Sequence, residues 1–577
     1  MKFYRANSFF SARAAAWCFL LLLILVVCFL PETAPAAVPP NFVVSDVADN
    51  WQEVVGITFD EANRMYVWER PGRVWIVENG VKSATPLIDI SEEVSAWNDL
   101  GCLGFALDPQ FRLNGYIYLY YVVDHYYLDN FGTPQYNPAS NDYFRATIGR
   151  LTRYTARASD NFRSVDPASR KILLGETKST GIPITYNTHS VGSLVFGTDG
   201  TLLASCGDGA ALSDPGSETV QSYYAQALSE GIIKPKENIG AFRSQMVDCL
   251  SGKILRLNPA TGDGVPSNPF YDYANPRSAR SRVWTLGFRN PFRMTLKPGT
   301  GSHNPADANP GVLFVGDVGY QTWEEVSMIT GPAMNAGWPI FEGFTQFPPG
   351  YEDFNPPNPD APNPLYGIGG CTQQYFTFRD LLKEATLGTP SWPNPCNNGQ
   401  QVPASIPHFV HTRPMVDWKH PSGPSRCGTF VGNNAAIANI GTAGASVAGP
   451  QFGGSCAIGG SLYNGDQFPA SYKGTYIFAD FTSGWIRTIG FDSNNAPVQV
   501  NDFGTGFEGT TAMVVHPVTG ELYVGNVFYG LKKIVYGGNA APKAVANADI
   551  RYGPAPLTVQ FNGSASSDPE GQTLTYR

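Results

Sequence analysis

The chain has 577 residues, including 61 glycines and 46 prolines, and 13% of its residues are aromatic. Only 15% of the residues are charged, and the formal net charge is −9 at pH 7. This length accommodates a large core with an accessory module, and the turn-rich, aromatic-rich composition is typical of all-β folds. The acidic balance argues against a nucleic-acid-binding surface and predicts little attraction to anionic lipid.

The N-terminus has the pattern of an export signal. Basic residues precede an apolar run of 14 residues, Trp17–Leu30, and "APAA" at positions 34–37 suits signal peptidase. A membrane-spanning helix needs about 20 apolar residues, so an uncleaved anchor fits less well. We therefore predict a signal peptide over residues 1–37, a mature chain without a membrane span, and a secreted, periplasmic or cell-surface location.

Nine cysteines are present, and two of them, Cys18 and Cys28, lie within the predicted signal peptide. The other seven are widely spaced and form no C-x-x-C pair, which argues against a zinc site, and export permits disulfides. We expect sequence neighbours to pair, although spacing alone does not fix the connectivity. The expected pairs are Cys371–Cys396, Cys427–Cys456 and Cys206–Cys249. Cys102 would then remain unpaired.

Six segments share a pattern in which an apolar strand leads through a turn into a second apolar strand. Alternating β-branched and aromatic residues around turn-forming residues predict a β-hairpin in each. In chain order, the segments begin at Gly56, Leu103, Ser193, Phe292, Gly474 and Thr511. Such diverged units predict a six-bladed β-propeller over residues 42–536, because each blade needs neighbours to cover its faces.

Two regions depart from the hairpin pattern. Residues 345–453 are rich in Pro, Asn and Gly and contain three of the cysteines, with Cys456 just beyond, so we expect a long disulfide-stapled surface insertion. Residues 537–546 have the composition of a linker. Residues 547–577 begin a second small β module, with too few residues to complete a sandwich.

Five motifs of the propeller region are distinctive. They are "HSVGSLVFGTDG" from His189, "LSGKILRLNP" from Leu250, "LGFRNPFRM" from Leu286, "GDVGYQTWEEV" from Gly316 and "NAGWPIFEG" from Asn335. Together they resemble the soluble glucose/sorbosone dehydrogenase family over about residues 42–536. The resemblance implies a six-bladed propeller that uses pyrroloquinoline quinone (PQQ) and calcium. The C-terminal stretch resembles the start of a PKD domain, an immunoglobulin-like β-sandwich whose usual continuation would lie beyond Arg577.

The resemblance implies calcium ligands within "GDVGYQTWEEV". The carbonyl oxygens of Gly319 and Tyr320 match ligands of a calcium that bridges to PQQ, and Gly319 is expected to permit the turn that aims them. Glu324 and Glu325 match positions that bind a second, structural calcium, and Glu325 is the better match. Adjacent strand residues point to opposite faces, so both glutamates are not expected in one pocket. The alternative is a solvated turn with surface carboxylates.

The resemblance also implies a catalytic base. His189 matches the histidine that removes a proton from the anomeric hydroxyl of a sugar as hydride leaves for PQQ, and a neutral imidazole suits that work. Asp208, in "CGDG", is the carboxylate expected to hold the imidazole. The alternative is a structural histidine bonded to backbone.

Arg289 and Asn290 in "GFRNP" match residues that touch PQQ in the family. A guanidinium suits a carboxylate or an oxyanion, and an amide suits the quinone edge. The alternative is an arginine that locks blades together near the ring axis. In "TSGWIRTI", Trp485 stands where many relatives carry arginine, and Arg487, two residues on and therefore on the same strand face, is expected to substitute.

These features predict an exported quinoprotein that oxidises a small sugar or other alcohol and passes electrons to a periplasmic or extracellular carrier. Convergence of His189, Asp208 and Arg289 at one end of the channel would favour this enzyme. A first alternative is a non-catalytic propeller for extracellular carbohydrate binding or adhesion, which the insertion and the C-terminal module favour. A second is a calcium-dependent propeller hydrolase or lactonase, in which several Asn, Asp and Glu side chains usually converge on the ion.

Overall fold

The structure is a computed structural model that describes residues 36–211, 222–537, 542–550, 556–568 and 573–575. The predicted signal peptide lies outside these residues, apart from its last two positions. Six antiparallel sheets surround a central channel, and their innermost strands contact one another in a closed ring. The predicted all-β six-bladed propeller is therefore confirmed.

The strands are numbered along the chain, and the first of them, β1 (Phe42–Asp46), belongs to the last blade. Blade one contains β2 (Val54–Phe59), β3 (Met65–Glu69), β4 (Arg73–Glu78), β5 (Val81–Lys82) and β6 (Ile88–Asp89). Blade two contains β7 (Cys102–Leu107), β8 (Tyr116–Val122), β9 (Thr147–Ala156), β10 (Val165–Leu174) and β11 (Ile182–Ile184). Blade three contains β12 (Val191–Phe196), β13 (Leu202–Cys206), β14 (Lys253–Leu257) and β15 (Val283–Leu286).

The remaining blades are interrupted by one long excursion. Blade four begins with β16 (Pro291–Leu296), β17 (Leu313–Asp317) and β18 (Trp323–Ile329). The excursion holds the short strands β19 (Phe341–Glu342), β20 (Thr345–Gln346), β21 (Pro357–Pro362), β22 (Tyr375–Thr377), β23 (Leu382–Lys383), β24 (Pro393–Asn394), β25 (Asn397–Gln401) and β26 (Phe409–Val410). Blade four is completed by β27 (Val416–Lys419), β28 (Ser425–Val431) and β29 (Asn434–Asn439). Blades five and six contain β30 (Ala457–Leu462), β31 (Tyr476–Asp480), β32 (Ile486–Phe491), β33 (Pro497–Gly504), β34 (Thr510–Val515), β35 (Leu522–Asn526) and β36 (Gly530–Tyr536).

The two ends of the propeller close the ring. Strand β1 pairs antiparallel with β36, with Phe42 opposite Tyr536, and thereby becomes the outermost strand of blade six. Closure leaves the ring without the long exposed edges of an open sheet.

Aromatic side chains fill the spaces between blades. The rings of Tyr66 and Phe105 stack between blades one and two, and those of Phe314 and Tyr476 stack 4.8 Å apart between blades four and five. Buried aromatic residues supply the largest apolar area per residue, which explains why the blades are rich in them.

One arginine ties three blades together at the ring axis. Arg293 of blade four is buried, and its guanidinium donates to the carbonyl oxygens of Thr511 in blade six (2.8 Å) and Val55 in blade one. Arg293 therefore has the blade-locking role that was the alternative interpretation of Arg289, four positions earlier.

The insertion is shorter than the sequence predicts. The excursion runs between β18 and β27, so residues 416–439 belong to blade four rather than to the insertion. The Cys371–Cys396 disulfide is confirmed. The other expected pairs are wrong, because Cys206, Cys249, Cys427 and Cys456 are free thiols; the Cys206 thiol, for instance, donates to the carbonyl oxygen of Leu250 instead.

The helices among the described residues are short. They are α1 (Phe111–Asn114), α2 (His125–Asn130), α3 (Tyr224–Ser229), α4 (Ala279–Arg282) and α5 (Phe378–Leu381). None of the helices in the described ranges is long and apolar enough to cross a membrane. Beyond the propeller, β37 (Asn547–Ala548) pairs antiparallel with β38 (Phe561–Asn562), and a PKD-type sandwich stays a prediction.

Candidate active site

The channel widens into a cavity of about 650 Å³ at the end where the innermost strands begin. Residues at or beside the starts of these strands line it: Val55, Leu103, Ser190, Asn290, Cys456 and Thr511. A second cavity of about 450 Å³ lies where the same strands end. No residue of the excursion lines the larger cavity within the described chain, so the excursion does not plug this end.

His189 lies in the wall of the larger cavity and is oriented by Asp208. Its Nδ1 donates to Asp208 Oδ1 at 2.8 Å, and the carboxylate also accepts hydrogen bonds from the Ala210 amide (3.0 Å) and from Nε1 of Trp338 (2.8 Å). Because an ionised carboxylate only accepts, the proton is assigned to Nδ1, and Nε2 keeps its lone pair. Burial lowers the pKa of His189, and the charge of Arg289 lowers it further, against the opposing effect of Asp208.

The backbone around His189 is unusual. His189 has φ +50°, in the left-handed region that residues with a side chain rarely adopt. Such strain persists only where surrounding structure imposes it, and it is found often at functional sites. Here the Asp208 contact and the adjacent start of β12 hold the residue in place.

Arg289 and Asn290 begin blade four and also line the cavity. Their backbone amides donate to the two carboxylate oxygens of Asp317, at 3.0 and 2.6 Å. One terminal nitrogen of Arg289 donates to the Val318 carbonyl at 2.8 Å, while its Nε has no partner. The side-chain amide of Asn290 has no hydrogen-bond partner among the described residues. Both side chains therefore keep donors for a ligand in the cavity.

Gly319 and Tyr320 form the adjoining edge of the cavity. A Cβ on Gly319 would lie 1.8 Å from the carbonyl oxygen of Trp323, so glycine is required by a close approach and not by a positive φ. No described residue donates a hydrogen bond to the carbonyl oxygen of Gly319 or Tyr320. The Arg289 guanidinium lies 5.6 Å from both the Tyr320 and Trp338 rings, which support it.

Glu324 and Glu325 point to opposite faces of β18, as strand alternation predicts. Glu324 accepts hydrogen bonds from the amides of Gly319 (3.1 Å) and Ala457 (2.6 Å) and pairs with His420. Glu325 lies on the other face of β18, and its Oε2 is buried without a partner. Of the two glutamates, Glu325 is therefore the one with an unpartnered carboxylate oxygen for a ligand.

Glu325 belongs to a buried cluster of four carboxylates, with Asp317, Glu342 and Asp417. Oε1 of Glu342 accepts four consecutive backbone amides, but its Oε2 has no partner. Arg426 pairs with Asp417 at the edge of the cluster. Burial raises the pKa of Glu325 well above its usual range, and neighbouring carboxylates raise it further. Burial also raises the pKa of Asp317 to about 7. The cluster concentrates carboxylate oxygens, the ligand type that calcium prefers, although among the described residues only His125, Asp129 and Glu230 bring ligand atoms of three residues within 4.8 Å of one another.

The family model described as glucose/sorbosone dehydrogenase matches residues 51–360, more than half of the chain. The chain belongs to this family. Among curated relatives, it is 25% identical to quinoprotein glucose dehydrogenase B of Acinetobacter calcoaceticus over 319 residues, which cover 54% of this chain and 56% of that protein. It is 23% identical to HIPL1 protein of Arabidopsis thaliana over 373 residues, which cover 60% of this chain and 50% of that protein.

Solved structures match over a larger share of the chain. The PQQ-bound aldose sugar dehydrogenase from Streptomyces coelicolor is 16% identical, with a TM-score of 0.48 over 86% of this chain and 99% of that one. By contrast, this glucose/sorbosone dehydrogenase family member spans only about half the length of the curated relatives it matches.

Arg487 does not line the cavity of this family member. Its guanidinium lies 4.6 Å from the Phe452 ring and 5.2 Å from the Trp485 ring and pairs with Asp502. Strand β32 is the third strand from the channel, so it lies about 10 Å from the innermost strand. We therefore leave Arg487 out of the proposed cofactor site.

Sequence reasoning missed several lining residues. Asp99 and His420 both face the cavity, and Arg70 lies there paired with Glu53. Burial lowers the pKa of His420, but Glu324 more than offsets this and raises it. These residues lie on loops that meet only when the ring closes, so no local sequence signal marks them.

Proposed function

We propose that this protein is an exported quinoprotein that oxidises a sugar or other alcohol with PQQ and calcium. The observation that carries the proposal is the convergence of His189, Arg289, Asn290, Gly319 and Tyr320 on one cavity, with Asp208 behind the histidine. Export is supported by the sequence pattern of residues 1–37, and the chemistry by family membership.

The donors and acceptors of the cavity fit both cofactors. Arg289 has an unpartnered Nε and Asn290 a free amide, which suit a carboxylate and a quinone edge. The free carbonyl oxygens of Gly319 and Tyr320 suit calcium. When bound, PQQ supplies a two-electron acceptor for hydride.

The chain's own contribution is proton transfer. Nε2 of His189 accepts the proton of the substrate hydroxyl, and the lowered pKa keeps the imidazole neutral and able to accept it. Asp208 holds the ring in this tautomer and stabilises the imidazolium that forms, and Trp338 fixes the carboxylate in turn.

The test is a titration of PQQ into the purified mature chain with millimolar calcium, followed by quinone absorbance. We expect saturable, calcium-dependent binding that Arg289→Ala weakens and that Arg145→Ala, a control arginine outside the cavity, leaves unchanged. His189→Ala should bind PQQ and fail to turn over sugars. No binding at micromolar PQQ would refute the proposal.

A second candidate is a non-catalytic propeller that binds carbohydrate. The charge of the cavity favours this candidate. Arg70 is paired with Glu53, and Asp99 adds a further carboxylate, whereas a triply anionic cofactor would bind better to a cavity with more free cations. Carbohydrate binding without PQQ binding would support this candidate.

A further inference from the structure

A histidine and two carboxylates converge beside blade two, outside the linings of both channel cavities. Helix α2 carries His125 and Asp129 about one turn apart and therefore on one face, and Glu230 directly follows α3. Nε2 of His125 lies 3.0 Å from Oε2 of Glu230 and 3.5 Å from Oδ2 of Asp129. One ligand atom from each of the three residues lies within 4.8 Å of the other two.

These separations fit a tetrahedral metal ion. Zinc binds imidazole nitrogen and carboxylate oxygen at about 2.0–2.2 Å, so two ligand atoms of one ion lie about 3.4 Å apart. The distances of 3.0 and 3.5 Å from Nε2 lie on either side of this value. The imidazole favours zinc over calcium and magnesium, which prefer oxygen ligands throughout. The group contains no cysteine, so the spacing of the cysteines does not argue against it.

Asp142 orients the imidazole as a metal ligand. Nδ1 of His125 donates to Oδ2 of Asp142 at 3.2 Å, which leaves the lone pair on Nε2, on the side of Glu230. Metal-bound histidines almost always donate their second ring nitrogen in this way. His125 is 5% exposed, whereas the side chains of Asp129 and Glu230 are 42% and 23% exposed. The imidazole is thus buried and fixed, and the carboxylates lie between it and solvent.

The hydrogen bonds around Nε2 of His125 conflict with one another. Nε2 lies 2.9 Å from the amide nitrogen of Gln226 and 3.0 Å from Oε2 of Glu230. The Gln226 amide keeps its orientation because the Ala146 N–H donates to its oxygen at 3.0 Å. An unprotonated Nε2 accepts from Gln226 but turns its lone pair toward the carboxylate. A protonated Nε2 donates to Glu230 but meets the N–H of Gln226. A metal ion between the imidazole and the carboxylate removes the conflict with Glu230.

Lys178 supplies positive charge to the same carboxylates. Its ammonium pairs with Asp129 and, at 2.5 Å, with Oε2 of Glu230. The Lys178 side chain is 23% exposed, and its flexible stem lets the ammonium move into solvent. Lys178 therefore competes with a metal ion for the two carboxylates.

We propose that His125, Asp129 and Glu230 bind a divalent metal ion of the zinc class, with water as the fourth ligand. The ion displaces the ammonium of Lys178 from the carboxylates. It joins the connection between β8 and β9 of blade two to the segment of α3, which lies between β13 and β14 of blade three.

The bound ion anchors a segment that reaches the candidate active site. The amide of Tyr223, the residue before α3, donates to the carbonyl oxygen of Thr185 at 2.8 Å. The amide of Thr185 donates in turn to the carbonyl oxygen of Gly209 at 3.0 Å, and Gly209 follows Asp208 in the chain. Zinc binding should therefore raise the Tm of the protein and slow proteolysis around α2 and α3, because the ion binds only the folded arrangement.

The test is a calorimetric titration of zinc chloride into the full mature chain, with millimolar calcium present so that the sites proposed for calcium are filled. We expect zinc to bind, and cobalt(II) bound in its place to show the visible absorption of a four-coordinate ion. His125→Gln should abolish this binding. Asp142→Ala should weaken it about tenfold to a hundredfold, the usual effect of removing the partner of a ligating histidine. His303→Gln, which alters an exposed histidine elsewhere, should bind zinc as the wild type does.

Two further variants change exposed positions and keep the test valid if His125→Gln fails to fold. Asp129→Asn should weaken zinc binding. Lys178→Met removes the competing ammonium and should tighten zinc binding by about twofold to fivefold, the range of a partly exposed ion pair. A salt-bridge network without a metal site would show no such gain. Three results overturn the proposal: no zinc binds in the presence of calcium, zinc binding survives His125→Gln unchanged, or Lys178→Met does not tighten it.

Discussion

Calcium binding at the buried carboxylate cluster should depend steeply on pH. The cluster of Asp317, Glu325, Glu342 and Asp417 has four carboxylates, and among the described residues only Arg426 forms an ion pair with it. Without a metal, the raised pKa values mean that the cluster retains protons near neutrality. A divalent cation at Glu325 favours the charged forms of its neighbours and expels those protons, so calcium affinity must rise with pH.

The size of this effect follows from the pKa of Asp317, which is about 7. Displacing its proton costs little at pH 8, but at pH 6 the group is mostly protonated. Calcium should therefore bind about tenfold more weakly at pH 6 than at pH 8, and more weakly still if Glu325 also releases a proton. Carbonyl ligands do not titrate, so calcium held only by Gly319 and Tyr320 would show no such dependence.

Calorimetry in buffers of different ionisation enthalpy measures both the affinity and the protons released. Glu325→Gln should abolish the pH-dependent binding and the proton release. Glu69→Gln, which alters a buried glutamate outside the cluster, should preserve both. Calcium binding with the same affinity at pH 6 and pH 8, or unchanged by Glu325→Gln, would refute the reasoning.

Three further predictions concern other parts of the molecule. Asp208→Asn removes the anion that raises the pKa of His189, so the acid limb of the sugar-oxidation profile should move to lower pH while kcat falls at least about tenfold; an unmoved limb would contradict the assigned pair. Asp199→Asn leaves the fully buried Arg256 without its 2.7 Å partner and should cost about 3–5 kcal/mol in the free energy of unfolding, measured by denaturant titration. Cys371→Ser opens the excursion's disulfide loop and should destabilise the excursion by about 3 kcal/mol, seen as faster proteolysis there with the propeller transition unchanged.

The blades could be predicted from sequence because each contains a local hairpin with strand periodicity. The segment from Gly474, for example, forms β31 and β32. The outer strands of blade four were not predicted because the sequences of β28 and β29 lack an apolar alternation, and both strands include exposed residues. Periodicity also placed Arg487 on a strand face correctly, but it carries no information on distance from the channel.

The family motifs identified the residues that converge on the cavity, since each motif lies at the start of an inner strand or beside it. Asp99, His420 and Phe528 have no such motif. Their approach to His189 depends on ring closure and on the return of the chain after the excursion, and both are long-range features. The role of Gly319 was inferred from its conformational freedom, whereas the structure shows a steric limit set by Trp323.

The pairing of β1 with β36 has a consequence for biosynthesis. The partner of Phe42 is Tyr536, about 490 residues later. At translation rates of about 5–20 residues per second, the first strand waits roughly 25–100 seconds before its partner exists. Throughout that interval a newly made β1 has an unsatisfied edge, and blade six cannot be completed. A circular permutant that places residues 42–46 directly after β36 would end this wait, and it should therefore reach the closed ring with less aggregation than the natural order.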